Sequence, residues 1–310
     1  MKWLFVIDPL ETLHFETDST FAIMKESIRQ GIDTFHCSPR DLYYQSNTLM
    51  CYAREFYNPQ EQTEDVPTSA AHPLEFFDLI FMRKDPPYDL NYHYATQLLS
   101  LTHTPVVNSP SALRNFNEKL IILPFPELIP ETIVTAQESY IQSFLQAHPS
   151  GIVIKSLDSY QGRSVAWIRD AKAASVEVIR HYTFDFATPI MVQEFLPRVF
   201  EGDKRVLVLG GKAIGAVQRV PQQESFLANF AQGGVGKEAE VTPRDEEIVS
   251  TVANFLVENG MHFVGIDVIG DLLTEINITC PTGIVQIDGL NGACLEKDVV
   301  DYFRETFPQK

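Results

Sequence analysis

The hydrophobic and polar positions divide the chain into short buried strands and amphipathic helices. Residues 3–7, Trp-Leu-Phe-Val-Ile, are a continuous apolar run ending at Asp8-Pro9, which predicts a buried strand. Asp18-Ser19-Thr20 offers caps for a helix from about Phe21 to Gln30, closed by Gly31. A strand over 33–37 follows, so the chain opens as β-α-β. A third strand over 79–82, a helix around 91–101 and a strand at 106–107 extend an α/β unit. Parallel sheets hold ligands at the carboxyl ends of their strands, where Asp8 and Arg83-Lys84-Asp85 fall. Residues 58–73, rich in Pro, Gln, Glu and Thr, read as a surface loop, and 109–120 as a short helix. Pro124, Pro126 and Pro130 mark a first boundary. Beyond it the pattern predicts strands at 151–155, 164–168 and 190–196, a helix over 137–147, and a hairpin over 205–220 turning at Gly210-Gly211. A helix over 244–259 opens at Thr242-Pro243, and a last helix spans 293–306.

The stretch 264–279 carries the sharpest chemical signal. Two apolar runs are broken at Gly270-Asp271, which predicts a hairpin. Asp267, Glu275 and Asn277 interrupt the apolar pattern, and Glu275 and Asn277, two apart, share a strand face. The turn decides whether Asp267 joins them. A two-residue loop pairs Asp267 with Thr274 and sends it to the other face, whereas an odd loop, Gly270-Asp271-Leu272, pairs it with Glu275. We take the odd loop. Two carboxylates and an amide oxygen on one largely buried face suit a hard cation, Mg²⁺ or Mn²⁺, and not zinc, since no His or Cys belongs to the trio.

Composition narrows the partners. The net charge of −17 opposes nucleic acid, and no Lys/Arg cluster offsets it. No run approaches the ~18 apolar residues of a membrane span. Cys37, Cys51, Cys280 and Cys294 form no C-x-x-C pair, and the amino terminus lacks a signal-peptide pattern. A reduced cytoplasmic protein is expected. Phosphate would need a few local cations, and the candidates are Lys119, Lys155 at the end of Gly-Ile-Val-Ile, Lys204 and Arg205. Arg219, Asn229 and the pair Gly233-Gly234, whose backbone N–H groups can cradle an anion, complete the set.

As a set, these residues resemble the ATP-grasp superfamily, and more narrowly the bacterial glutathione synthetases. The resemblance spans nearly the whole chain. It rests on Phe81-Met-Arg-Lys-Asp-Pro-Pro-Tyr-Asp, Tyr94-Ala-Thr, Asn117-Glu-Lys, Gly202-Asp-Lys-Arg-Val-Leu-Val, Asn229 with Gly233-Gly234, Phe263-Val-Gly-Ile-Asp-Val-Ile-Gly-Asp and Leu273-Thr-Glu-Ile-Asn-Ile-Thr. It implies an α/β (α+β) ATP-grasp fold: an N-terminal α/β substrate domain (1–122), a lid subdomain (123–190) and a C-terminal ATP-grasp domain (191–310). The implied reaction joins γ-glutamylcysteine to glycine at the expense of ATP through an acyl phosphate, in a homo-oligomer, a tetramer by resemblance. On matching positions, Asp267, Glu275 and Asn277 would hold the metal, and Lys119 and Lys155 the phosphates. Gln193, Glu194, Phe195 and Leu196 would line the adenine pocket, with Asp203 facing the ribose. Arg205 and Asn229 would approach the reacting groups, and Arg83, Arg219, Gly233 and Gly234 the acyl substrate.

The chain departs from the family in three places. Ser159 and Gln161 stand where a phosphate-closing loop has glycines, leaving Gly162. Leu227 replaces a substrate-side arginine, and Val285-Gln286 a charged pair. These departures admit a paralogous ligase with another carboxylate and amine, or a nucleotide-binding protein without turnover.

Overall fold

The computed structural model describes residues 1–58, 68–158, 164–170, 174–222 and 225–309. Three sheets organise them. In the first, β1 (Lys2–Val6), β2 (Asp33–Cys37), β6 (Leu79–Met82) and β7 (Val106–Val107) run parallel, with β1 central between β2 and β6. Helix α1 (Ser19–Arg29) connects β1 to β2, its first turn fixed by the Asp18 side chain accepting from Phe21 N. An antiparallel flap, β3 (Leu42–Gln45), β4 (Thr48–Glu55) and β5 (Ala70–Pro73), adds to β2 through β4. The pattern did not predict this flap. β5 also takes the end of the stretch expected to be a loop, because it completes hydrogen bonding along β4.

Helices α2 (Leu90–Leu99) and α3 (Pro110–Asn115) follow. The helix expected over 109–120 ends at Asn115. Phe116 is extended, and the Asn117 side-chain oxygen accepts from the backbone N–H of Lys119 and Leu120, a local turn that competes with helix continuation. Lys119 therefore sits in a turn rather than on a helix.

The second sheet is antiparallel, in the order β10 (Val165–Ile168), β9 (Ile152–Ser156), β11 (Ile190–Glu194), β8 (Thr132–Thr135). The expected boundary at 190/191 thus falls inside the span of β11, a strand paired on both sides within this sheet. Helices α4 (Glu138–Ala147) and α5 (Val176–Tyr182) cover one face, packing Ile141, Phe144 and Ile179 on Ile152 and Ile154. Strand alternation sends Val153 and Lys155 to the opposite face.

The third sheet, also antiparallel, runs β14 (Val235–Ala239), β13 (Lys212–Val220), β12 (Asp203–Leu209), β15 (Phe263–Ile269), β16 (Leu272–Asn277). Helix α6 (Pro243–Glu258) starts from a Thr242/Asp245 capping box and buries Ile248, Val252 and Leu256 with Val206, Val208, Ile266 and Val268. The expected C-terminal helix is α8 (Leu295–Thr306); a further helix that the pattern did not predict, α7 (Ile284–Asn291), precedes it and ends at left-handed Gly292. Among the described residues no helix is long and apolar enough to cross a membrane.

Candidate active site

The hairpin of β15 and β16 reaches the expected pairing by a different route. Ile269 pairs with Leu272, so the turn is the two-residue Gly270-Asp271. The register then shifts at a β-bulge: Val268 pairs with Leu273, but Asp267 pairs with Glu275, leaving Thr274 as the extra residue. The Thr274 hydroxyl donates to the Asp267 carbonyl at 3.1 Å, inside the bulge. The bulge is what moves Glu275 and Asn277 onto the face of Asp267.

The same face continues across the sheet. Arg205 lies directly opposite Asp267 and Asp203 directly opposite Arg219. The result is a row of charges over four strands that alternates through Arg219, Asp203, Arg205 and Asp267 and ends on a second carboxylate, Glu275. The row is hydrogen-bonded throughout its centre. Arg205 grips Asp267 with Nε at 2.5 Å from Oδ1 and Nη2 at 3.0 Å from Oδ2. Arg219 Nη2 reaches Asp203 Oδ2 at 2.6 Å and Asp267 Oδ1 at 3.0 Å. Asn277 Nδ2 donates to Asp267 Oδ2 at 3.1 Å. Gly265 makes this possible, because a Cβ there would stand 3.0 Å from Arg205 Cδ. Burial alone would raise Asp267, but Arg205 and Arg219 outweigh it and hold the carboxyl at about 2. Burial prevails at Asp203 and raises it to about 6, against the pull of Arg219.

Two cavities meet at this row. The first, enclosing about 800 Å³ including space open to solvent, lies between the second and third sheets. The second sheet gives it Val153, Lys155, Val165 and Gln193, and the chain beyond β11 adds Phe195 and Leu196. The third sheet gives Asp203, Asp267, Thr274 and Glu275. Lys119 also lines it, 3.4 Å from Glu275 Oε1. Lys155 Nζ donates to the Thr274 carbonyl at 3.4 Å, and burial lowers its pKa against the pull of Glu275. Phe195 stacks on Trp167 at 3.8 Å, and Phe226 closes the same slot. The second cavity, lined by Asp18, Asp85, Arg205, Arg219, Asn277 and Gln286 among others, shares Asn229 and Glu275 with the first.

Other expected residues take different places. Arg83 is buried behind the second cavity, where Nε donates to Thr20 Oγ1 and Nη2 to the Pro281 carbonyl. Gly233 and Gly234 present no free anion cradle: their N–H groups donate to the Phe230 and Asn229 carbonyls, and they close the turn that presents Asn229. A Cβ on Gly234 would overlap the Ala228 carbonyl oxygen at 1.8 Å. The glycine-poor stretch around Ser159, Gln161, Gly162 and Arg163 lies outside the described residues.

Glu118 was missed. It accepts from Ile278 N, Thr279 N and Thr279 Oγ1 at 2.7–2.9 Å, and burial, reinforced by Glu275, raises its pKa. Its neighbour Lys119 was the available signal. Val153, two residues from Lys155, and Val165 were missed as well, although strand alternation places Val153 on the lysine's face.

Among the described residues no three His, Cys, Asp or Glu side chains converge as a metal cluster. The oxygen donors here are two carboxylates and an amide, the donor chemistry of Mg²⁺ rather than zinc.

Two antiparallel sheets gripping a cleft lined by lysines, carboxylates and an apolar slot define an ATP-grasp ligase. Solved structures share the fold: the D-cycloserine synthetase DcsG superposes with a TM-score of 0.70 at 12% identity, over 98% of this chain and 99% of that one. The RimK domain ATP-grasp protein of Sphaerobacter thermophilus gives 0.61 at 17% identity, over 97% and 99%. The chain belongs to the prokaryotic glutathione synthetase family. The model of that family's N-terminal domain matches residues 1–114, and that of its ATP-grasp domain residues 118–292. The glutathione synthetase of Gloeobacter violaceus is 39% identical over 315 aligned positions, covering 98% of this chain and 97% of that protein. That of Nitrosomonas europaea is 35% identical, covering 100% and 99%.

Proposed function

We propose that this site joins γ-glutamylcysteine to glycine with ATP, giving glutathione, ADP and phosphate through an acyl phosphate. The observation that carries the reading is the meeting of the two cavities at Asn229 and Glu275, with the charged row as their common wall. ATP in the first cavity then points its phosphates toward Lys119, Lys155 and the row, with the base in the slot of Val153, Val165, Phe195 and Phe226. Gln193 to Leu196 border the base, and Asp203 lies toward the ribose. The acyl substrate occupies the second cavity with its reacting carboxylate near Arg205, Arg219 and Asn229. Attack of that carboxylate on the γ-phosphoryl group forms the acyl phosphate and breaks the bond to the β–γ bridging oxygen, which leaves with ADP. The glycine amine then adds to the activated carbonyl, and phosphate leaves with the electron pair of its C–O bond. The residues work by positioning and by neutralising charge, not by forming a covalent bond themselves.

Asp267, Glu275 and Asn277 fit a divalent cation, Mg²⁺ or Mn²⁺, by donor chemistry and by their place at the junction. Such a cation would offset charge on the transferring phosphoryl group. We take residues up to about 122 as the substrate domain, the second sheet with its helices as the lid, and the remainder as the C-terminal half of the grasp. Leu227 lines the nucleotide cavity and Gln286 the acyl cavity, so acyl selectivity is read at Gln286 and its neighbours. A cytoplasmic homo-oligomer, a tetramer by resemblance, completes the reading; all four cysteines are free thiols.

The test supplies purified protein with MgATP, γ-glutamylcysteine and glycine, and follows ADP release and product mass with each substrate omitted in turn. Glutathione stoichiometric with ADP is the expected result. ATP binding without product in any of these mixtures would move the reading to another carboxylate and amine.

A further inference from the structure

The Asp267 carboxylate accepts three hydrogen bonds and pairs with a second guanidinium. Oδ1 accepts from Arg205 Nε and lies 3.0 Å from Arg219 Nη2, and Oδ2 accepts from Arg205 Nη2 and Asn277 Nδ2. A divalent cation reaches this carboxylate only by displacing the Asn277 amide or a guanidinium, and its own charge repels both arginines. Both arginines also line the acyl cavity. Among the described residues Arg219 Nε is buried there without a partner, a donor already in place with no acceptor. Arg205 is anchored independently by Nη1 donating to the Thr282 carbonyl at 3.2 Å, so it has a fixed point about which to turn. The missing Cβ of Gly265 clears its stem, and the nearest atoms a Cβ would meet are Arg205 Cδ and Nη1, both at 3.0 Å.

We propose that Arg205 and Arg219 are charge placeholders for the divalent cation: when the cation takes Asp267, the guanidiniums are released to the carboxylate of the acyl substrate in the adjoining cavity. Charge balances on each side of the exchange. Before it, Arg219 and Arg205 balance Asp203 and Asp267; after it, the cation balances Asp267 and Glu275, Arg219 still balances Asp203, and Arg205 balances the incoming carboxylate. Cation and acyl substrate then bind with positive coupling, and by linkage each tightens the other by the same factor. The inference rests on placing Asp267 in the metal set, as in the preceding section. Arg205 acts here as a positioning residue for the metal step, apart from any contact it makes with substrate.

The primary readout is Mn²⁺ affinity, measured by electron paramagnetic resonance of free Mn²⁺ in the presence of a saturating non-hydrolysable ATP analogue. Arg205→Met removes the two-pronged competitor, so Mn²⁺ binding tightens by about tenfold, the scale of one close charge pair. A residue with only a structural or phosphate-binding role would leave Mn²⁺ affinity unchanged or weaken it. Arg205→Lys keeps a charge but not the fork, and tightens binding by roughly threefold. This variant carries the test if Arg205→Met does not fold. Unchanged or weaker Mn²⁺ binding in the folded variant overturns the placeholder role. Asp267→Asn with wild-type Mn²⁺ affinity overturns the metal assignment itself, a separate failure. As a second arm, calorimetry of γ-glutamylcysteine binding to the enzyme–analogue complex is expected to show about tenfold tighter binding with Mg²⁺ than without, and no such gain in Arg205→Met. A wild-type affinity indifferent to Mg²⁺ would reject the coupling.

Discussion

The two sheets that face each other across the nucleotide cleft are both antiparallel and both backed by helices, yet their inner faces differ in kind. The four-stranded sheet offers mainly shape: Val153 and Val165, extended by Phe195, with Lys155 as its one cation toward the cleft among the described residues. The five-stranded sheet offers mainly charge, a cross-strand row in which every guanidinium faces a carboxylate. Removing one member of such a row leaves a buried charge without its partner, which costs several kcal/mol, whereas trimming a valine loses only contact area. The apolar face should therefore tolerate change and tune affinity, and the charged face should fail abruptly.

The largest break expected is Glu275→Gln. It keeps the size of the side chain and removes the charge shared by both cavities. Turnover should fall by about a thousandfold or more while circular dichroism stays close to wild type. Retained turnover would take Glu275 out of the metal set. On the opposite face, Lys155→Met should lower kcat/KM by about a hundredfold, because the lost cation faces developing phosphoryl charge. If Lys155→Met proved as mild as a valine substitution, the second sheet would be purely a shape surface. Gly265→Ala probes the charged face without touching a charge. Its methyl would press on Arg205, and turnover should drop by about tenfold with little effect on ATP KM. Val153→Ala is the apolar counterpart: ATP KM should rise by roughly fivefold with kcat kept, the scale of losing two methyl groups from a binding slot.

The same contrast explains what the amino-acid sequence made legible. Residues with distinctive chemistry stood out singly, and Asp267, Glu275, Asn277, Lys119 and Lys155 do converge. Their geometry was less legible. The pairing of Asp267 with Glu275 depends on a bulge at Thr274, and nothing in Leu-Leu-Thr-Glu-Ile-Asn distinguishes a bulged strand from a regular one after an odd loop. The flap β3–β5 escaped because Met50 and Tyr52 stand on the outer face of β4, so that its buried alternation of Leu49, Cys51 and Ala53 reads in the sequence as an unbroken apolar stretch without a period of two. Gly233 and Gly234 show the opposite error. A glycine pair admits both an anion nest and a tight turn, and the hydrogen bonds of Phe230 and Asn229 decide for the turn. Glu118 was hidden because its role is to cap the chain at 278–279, a contact between residues 160 apart that no local pattern records.

Acidity sharpens the comparison by the smallest amount, since only the charged face has carboxylates that burial displaces. Asp203 is raised to about 6 from its ordinary value of 3.8. A carboxyl raised on folding stabilises the fold below its unfolded pKa, and that contribution is lost as pH climbs through the folded value, here between about 4 and 6. Asp267, held at about 2, works in the opposite sense: its contribution is present above about 4 and is lost as pH falls toward 2. The two windows are separate, so each can be removed alone. Asp203→Asn keeps an acceptor for Arg219 but no longer titrates. Its melting temperature, relative to wild type, should therefore become more favourable by about 3 °C between pH 4 and pH 7 and stay flat above. A difference that does not change with pH would mean that Arg219 keeps Asp203 ionised throughout, and the charged face would then be as insensitive to acidity in this range as the apolar one.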